Sequence, residues 1–228
     1  MTFRPLVVAL CMGLASCTGG TDQIASTTTQ VSQIATLVLA QRNAPELPTV
    51  NRALLDTLTL ASLEITIEDR DALAYLIPAG VRRDPFHGPL TVWRTGDNAQ
   101  VAMRSGVIVG TKGLGNDLQG SDMRGTVQHV EGRDPSEWTG AMTVLTPSSA
   151  AQTLALDCVS QKPERKTLEI VELTYTVDHL RETCFIDGNT RFVVNEYWVD
   201  VRDRTVWQSR QWVSPSIGYV RTRFLKKI

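Results

Sequence analysis

Histidine is scarce in this chain: three residues in 228, at His87, His129 and His179. None of them stands at the HxH or HxxxH spacing that turns imidazoles toward one metal ion, so no histidine-built metal centre is indicated. Gly-x-Ser-x-Gly is missing too, and with it the nucleophile elbow of a serine hydrolase. The glycine-rich run Gly113-Leu114-Gly115-Asn116-Asp117-Leu118 lacks the third glycine of a dinucleotide fingerprint. It also lacks the Gly-Lys-Ser/Thr of a phosphate loop, so it reads as a turn, and no cofactor signature is present. Basic residues are scattered and balanced, 23 Lys and Arg against 24 Asp and Glu, which gives no reason to expect nucleic acid. Beyond the N-terminus there is no apolar run of the roughly 20 residues needed to span a bilayer.

The N-terminus is where an address is written. Arg4 precedes an apolar stretch, Pro5 to Leu14, and Leu14-Ala15-Ser16-Cys17 follows it directly. This is the layout of a secretory signal ending in a lipobox. Such a signal, residues 1–16, is cut before the cysteine, and Cys17 carries the acyl chains (palmitate among them). Each buried methylene contributes about 0.8 kcal/mol, so two or more chains anchor a protein stably. Position 18 is Thr rather than Asp, so no inner-membrane retention signal is present. The expected address is the outer membrane of a Gram-negative cell, with the body facing the periplasm. Loss of residues 1–16 removes one arginine and no acid, leaving 22 basic against 24 acidic residues and a charge of −2.

With Cys17 spent on lipid, Cys158 and Cys184 remain as a pair in an oxidising compartment and are disulfide candidates. A bridge over that separation contributes roughly 3 kcal/mol in the loop-entropy picture. Two buried free thiols are the alternative. Neither cysteine has the neighbours that a zinc site needs.

Residues 17–45 read as a Thr/Ser/Gly-rich tether leading into a short helix near Gln30–Gln41, where Val31, Ile34, Leu37 and Val38 recur at helical spacing. Pro45 and Pro48 end it. Asn51 to Leu60 is a second helical or irregular piece. The rest, within a domain spanning 46–228, is a succession of short strands. Leu63, Ile65 and Ile67 alternate with polar residues, and Ala72–Arg82 is longer and more apolar. Leu90 to Thr111 forms hairpins turning at Gly96-Asp97-Asn98 and Ser105-Gly106. Further strands are expected over 125–130, 138–145, 152–160, 167–176, 183–186, 191–201, 205–213 and 217–226. The fold class is mainly β: an antiparallel meander forming a curled sheet, sandwich or barrel-like body.

Two stretches carry a resemblance. One runs Val92-Trp93-Arg94-Thr95-Gly96-Asp97 and then Arg104 to Leu118, ending Thr111-Lys112-Gly113-Leu114-Gly115-Asn116-Asp117-Leu118. The other is Tyr197-Trp198-Val199-Asp200, followed by Val206-Trp207-Gln208-Ser209-Arg210-Gln211-Trp212-Val213-Ser214-Pro215. The first resembles the T-x-G-L-x-x-D-L block of the YjbF/GfcB lipoprotein family. The second is similar to that family's ending, YWVD…W-x-S-x-Q…P. The resemblance implies an antiparallel β body and association with capsule and exopolysaccharide export. It further implies an outer-membrane β-barrel partner and other envelope proteins of the export system. It supplies no catalytic residues.

Among the remaining candidates, Asp117 and Asp122, with Asp97, are the carboxylates from which a glycan-cleaving pair would be drawn. Turns also select Asp for local hydrogen bonds. Trp198, Trp207 and Trp212 crowd into fifteen residues, and indoles either pack cores or stack on sugars and partners. Alternation places Trp207 on one face with Ser209 and Gln211, which makes Trp207 and Gln211 the candidate partner- or glycan-binding surface, with Asp117 beside them as a loop candidate. The leading expectation is a non-enzymatic lipoprotein that assists polysaccharide secretion by binding an export barrel or the glycan itself. A glycan-modifying enzyme with paired carboxylates and a purely structural envelope lipoprotein are the alternatives.

Overall fold

The computed structural model describes residues 50–227, apart from His87, Asp134, Asn189 and Thr190. The expected signal, lipobox, tether and first helix therefore lie outside the described residues. The described chain opens on helix α1 (Arg52–Thr57), capped by the Asn51 side chain, which accepts a bond from Leu54 N at 2.8 Å. Thirteen strands follow: β1 (Ser62–Ile67), β2 (Ala72–Arg82), β3 (Leu90–Arg94), β4 (Gln100–Arg104), β5 (Val107–Lys112), β6 (Leu118–Asp122), β7 (Glu137–Leu145), β8 (Ala151–Ser160), β9 (Glu164–Ile170), β10 (Leu173–Ile186), β11 (Arg191–Asp200), β12 (Val206–Ser214) and β13 (Gly218–Lys226). Helix α2 (Arg124–Val130) interrupts the series between β6 and β7.

The strands form one antiparallel sheet in the order β5-β4-β3-β2-β1-β13-β12-β11-β10-β8-β7-β6, with β9 added beside β10. The two ends of this path, β5 and β6, come together, so the sheet curls into a nearly closed barrel. Alternation explains why. On β11, Val193, Asn195, Tyr197 and Val199 are buried in turn, and on β12 so are Ser209, Gln211 and Val213. One main core fills the barrel. A smaller one gathers Leu55 of α1, Ile170, Val177, Trp207 and Leu225.

Two local expectations are corrected. Residues 125–130 are helix, not strand: the buried set Thr126, Val127, His129 and Val130 is spaced for one helical face, which two valines in a short window disguise. Gly125 lets this helix approach the barrel, since a Cβ there would sit 2.2 Å from Trp138 Cγ. The expected strand over 167–176 is in fact split by a two-residue turn at Val171-Glu172, with φ of 44° and 69°. A hairpin turn of that kind normally selects Gly, Asn or Asp, so the residues gave no turn signal. Tertiary contacts brace it instead: the Arg52 guanidinium donates to Val171 O at 3.1 Å and Ile170 O at 3.3 Å.

Closure at the β5–β6 seam uses side chains where a ladder would run. Leu118 N donates to Thr111 Oγ1 (3.0 Å) and Ser121 Oγ to Val109 O (3.4 Å). An edge strand leaves backbone groups without strand partners. On β5 one of these is satisfied from within: Ile108 N donates to Gln211 Oε1 at 2.9 Å, while Gln211 Nε2 donates to Gly106 O at 2.9 Å. Gln211 sits on β12, six strands away along the sheet. An amide side chain thus ties β5 across the barrel interior. Removing it strands the buried Ile108 N–H, at a cost of about 1–3 kcal/mol, and leaves the part-buried Gly106 C=O without this donor. Gln211→Ala is therefore expected to lower the unfolding free energy by about 3 kcal/mol in urea titrations; a loss below about 1 kcal/mol would show that the strap carries little.

Candidate functional site

The Thr111–Leu118 block is a self-contained loop. Asp117 Oδ1 accepts from Thr111 Oγ1 (2.8 Å) and Leu114 N (3.0 Å), and Oδ2 accepts from Gly113 N (2.7 Å). Gly113 takes φ of 84°, the left-handed conformation this turn needs. Asn116 Nδ2 then donates to Ser216 Oγ at 3.1 Å, and the Arg70 guanidinium donates to Ser216 O at 3.2 Å and to Leu114 O. All three acceptor bonds on Asp117 organise its own loop.

Asp117 also stands apart from Asp122. Asp117 precedes β6 and Asp122 ends it, and five steps of extended chain, at about 3.3 Å each, separate their α-carbons by about 16 Å. Paired glycosidase carboxyls lie roughly 5–9.5 Å apart. Asp122 is moreover held by Arg124 through two bonds of 2.8 and 2.6 Å, and Asp97 receives the Thr95 hydroxyl. The structure does not bring Asp117 and Asp122 together as a pair.

The candidate surface at Trp207 and Gln211 is likewise corrected. Both are buried, 6% and 3% exposed. Trp207 donates its indole N–H to Asp200 Oδ2 (2.9 Å) and stacks on Tyr175 at 4.0 Å. Alternation did put Trp207, Ser209 and Gln211 on one face, and that face is the inner one. Polar side chains read as solvent-facing are instead members of an interior network.

That network centres on Glu182, which is fully buried. Its Oε1 accepts from Asn195 Nδ2 (2.8 Å) and from the Tyr197 hydroxyl (3.3 Å), and its Oε2 accepts from Thr126 Oγ1 (2.9 Å). Trp138 Nε1 donates to the same Thr126 oxygen at 3.2 Å, linking α2 to β7. Asn195 Oδ1 accepts from Trp212 N (2.8 Å), and Gln211 Nε2 also donates to Ser209 Oγ (2.7 Å), which bonds Thr222 Oγ1 (2.7 Å). Burial pushes the Glu182 carboxyl up to about 7, against the pull of its three donors, and keeps the Tyr197 phenol protonated. A carboxyl with this pKa suits general acid chemistry, but it has no opening to a substrate. Sequence reading missed Glu182 because nothing in the alternation of β10 marks an inward Glu.

The other candidates separate. Cys158 and Cys184 are cross-strand partners on β8 and β10, with their sulfurs bonded at 2.06 Å. Cys17 lies outside the described residues. His129 packs near Trp138, ring centroids 5.4 Å apart, while His179 stacks on Trp198 at 4.4 Å and meets Lys166 Nζ at 2.8 Å. Burial, followed by Lys166, shifts the His179 imidazole toward neutrality. Among the described residues no group of three His, Cys, Asp or Glu converges as a metal site.

A concavity lies elsewhere. Beside the seam a cleft of about 570 Å³ opens between the β2–β3 connection, β5, β6 and α2. Leu90, Val109, Met123 and Val127 give it an apolar floor, and Arg104, Arg124 and Arg133 stand among its walls. Arg104 is nearly buried, pairs with Asp84 at 2.7 Å, and lies 5.6 Å below the half-exposed Phe86 ring. The cleft can take an elongated ligand with one apolar side. It was invisible in sequence because its residues come from four separate segments with no shared spacing.

The fold defines a class: a nearly closed antiparallel β-barrel, a fold seen also in YmcC, a hypothetical lipoprotein of Escherichia coli K12. That structure superposes with a TM-score of 0.70 at 18% identity, over 90% of this chain and 96% of that one. A putative exported protein with a YmcC-like fold from Bacteroides fragilis is more distant, with a TM-score of 0.34 and 8% identity over 74% of this chain and 95% of that one. No curated protein matches the chain. The chain belongs to the family described as group 4 capsule polysaccharide lipoprotein GfcB, YjbF, whose model matches residues 29–225.

The buried carboxyl generates a pH dependence. In the unfolded chain Glu182 ionises near its ordinary 4.5; in the fold it holds its proton to about 7. The folded state therefore binds the extra proton between those values. Its stabilising contribution is complete below pH 4.5 and is lost as pH rises through 7, about 3 kcal/mol in all. Urea midpoints measured from pH 4.5 to 7.5 should fall for the wild type and lose that component of the slope in Glu182→Gln. Parallel curves would contradict the assignment.

Proposed function

We propose that this protein is a lipid-anchored envelope lipoprotein that assists capsule or exopolysaccharide export by binding, with no chemistry of its own. One observation carries the reading: in the body of a capsule polysaccharide lipoprotein family member, the polar residues of the family-like motifs are consumed by the fold. Asp117 holds a loop, Tyr197 and Gln211 hold the barrel interior, and Asp200 holds Trp207. What is left for function is the outside of the barrel and the seam cleft, which are surfaces for contact.

Cys17 would fix the body at the periplasmic leaflet of the outer membrane, and residues between it and Val50 would let the body reach. Confinement raises the effective concentration of a contact surface toward an export barrel, so weak contacts suffice. Two acyl chains would make that attachment stable.

Membrane fractionation tests the anchor. Wild type should sediment with outer membranes and incorporate labelled palmitate, whereas Cys17→Ser should do neither. A deletion strain should lose surface polysaccharide and regain it with wild type. Unchanged palmitate labelling in Cys17→Ser would refute the anchor, and unchanged polysaccharide on deletion would refute the export role.

A further inference from the structure

We propose that the outer face of β11–β13 is a binding platform for an acidic polysaccharide chain, a reading that rests on the export role above and names the ligand class it would handle. β11 and β12 pair only from Glu196–Arg210 to Val199–Val206. Toward the β10–β11 turn their ladder gives way to side-chain bonds: Trp212 N to Asn195 Oδ1 (2.8 Å), and Val194 N to the Tyr219 hydroxyl (3.0 Å). Trp212 and Tyr219 are register partners, both half-buried and both on the face opposite Gln211 and Val220. Phe192 lies on this outer face of β11, 62% exposed, with its ring 6.2 Å from that of its register partner Phe185; so large an exposed apolar ring marks a contact surface.

The arginines set the sign of the ligand. Arg191 lies 5.9 Å from the Trp212 ring centre, and Arg210 lies 3.6 Å from that of Tyr219. Arg210 and Arg221 face each other directly across β12 and β13. Like charges so placed are destabilising. Glu68 neutralises Arg210 through bonds of 2.7–3.0 Å, but Arg221 and Arg191 have no acidic partner among the described residues. The face therefore carries the uncompensated Arg221 guanidinium, and that of Arg191, which alternates with Phe192 at the end of β11, reaches its rim beside the Trp212 ring. Sugar rings offer weakly positive C–H faces to the negative face of an aromatic ring. Carboxylates offer the planar oxygen pair that guanidinium binds with two parallel bonds. A uronate-bearing glycan presents both groups in alternation along one chain. A neutral glycan would satisfy only the rings, and a simple anion only the arginines.

The test uses full-length lipidated protein in detergent, run by affinity electrophoresis through gels containing polygalacturonate or, separately, dextran. Polygalacturonate should retard the wild type strongly and dextran far less, with the difference shrinking at high salt. The double variant Arg191→Glu/Arg221→Glu should weaken polygalacturonate binding at least tenfold. Phe192→Ser should weaken it several-fold. All three residues are exposed, so the thermal midpoint should hold, and a circular dichroism melt verifies this. Undiminished retardation of the charge-reversed protein would overturn the proposal, as would absence of retardation in the wild type. If wild type ignores polygalacturonate while Phe192→Ser abolishes crosslinking to an envelope protein, the face is a protein interface and the proposal also fails. Palmitate labelling and surface polysaccharide report on the export role separately, and both can stay intact while this platform is disproved.

Discussion

The barrel depends on one constraint: a polar group taken out of water must find a partner, and in this fold the partners are inside. β5 ends the sheet path with backbone donors that no neighbouring strand accepts. Gln211 meets Ile108 and Gly106 from across the interior, and its own position is set by Ser209 and Tyr197. Glu182 ties the same interior to α2 through Thr126. Without these bonds the seam would be a free edge, and α2 would keep only its packing through Val127 and Val130 and the Arg204 bonds to Val130 O. An apolar core alone would fill the barrel; it would not hold its last strand in place.

This constraint changes what the family-like motifs mean. Residues such as Asp, Gln, Tyr and Trp invite a functional reading because they are the residues of binding sites. Here Asp117, Gln211, Tyr197 and Trp207 are all occupied by the protein itself. Specific binding then falls largely outside those four residues: to the cleft walls at Arg104 and Phe86, and to the aromatic and basic face around Trp212 and Arg221. The buried polar residues of the motifs report the fold, while binding is left to side chains on the outer face and in the cleft.

Much of the architecture was legible in the sequence, because alternation and Gly/Asp/Asn turns are local signals. The β3–β4–β5 hairpins and the last three strands show this best. The turn at Val171-Glu172 was not legible, since its conformation is imposed by Arg52 from more than a hundred residues away. Helix α2 was obscured by its valines, and its docking depends on the absence of a side chain at Gly125. For the candidate site, alternation correctly grouped Trp207 with Gln211 but could not say which side of the sheet was wet. Both edges of the cleft come from segments distant in sequence, so only the closed barrel reveals it.

β5 is held as firmly as a central strand although it is an edge. Hydrogen exchange of the Ile108 amide measures this directly. If Gln211 straps the edge, Ile108 should exchange only through global unfolding, at the rate of amides in β11 and β12. Exchange at the rate of solvent-exposed edge amides, with β11 and β12 still protected, would contradict the account.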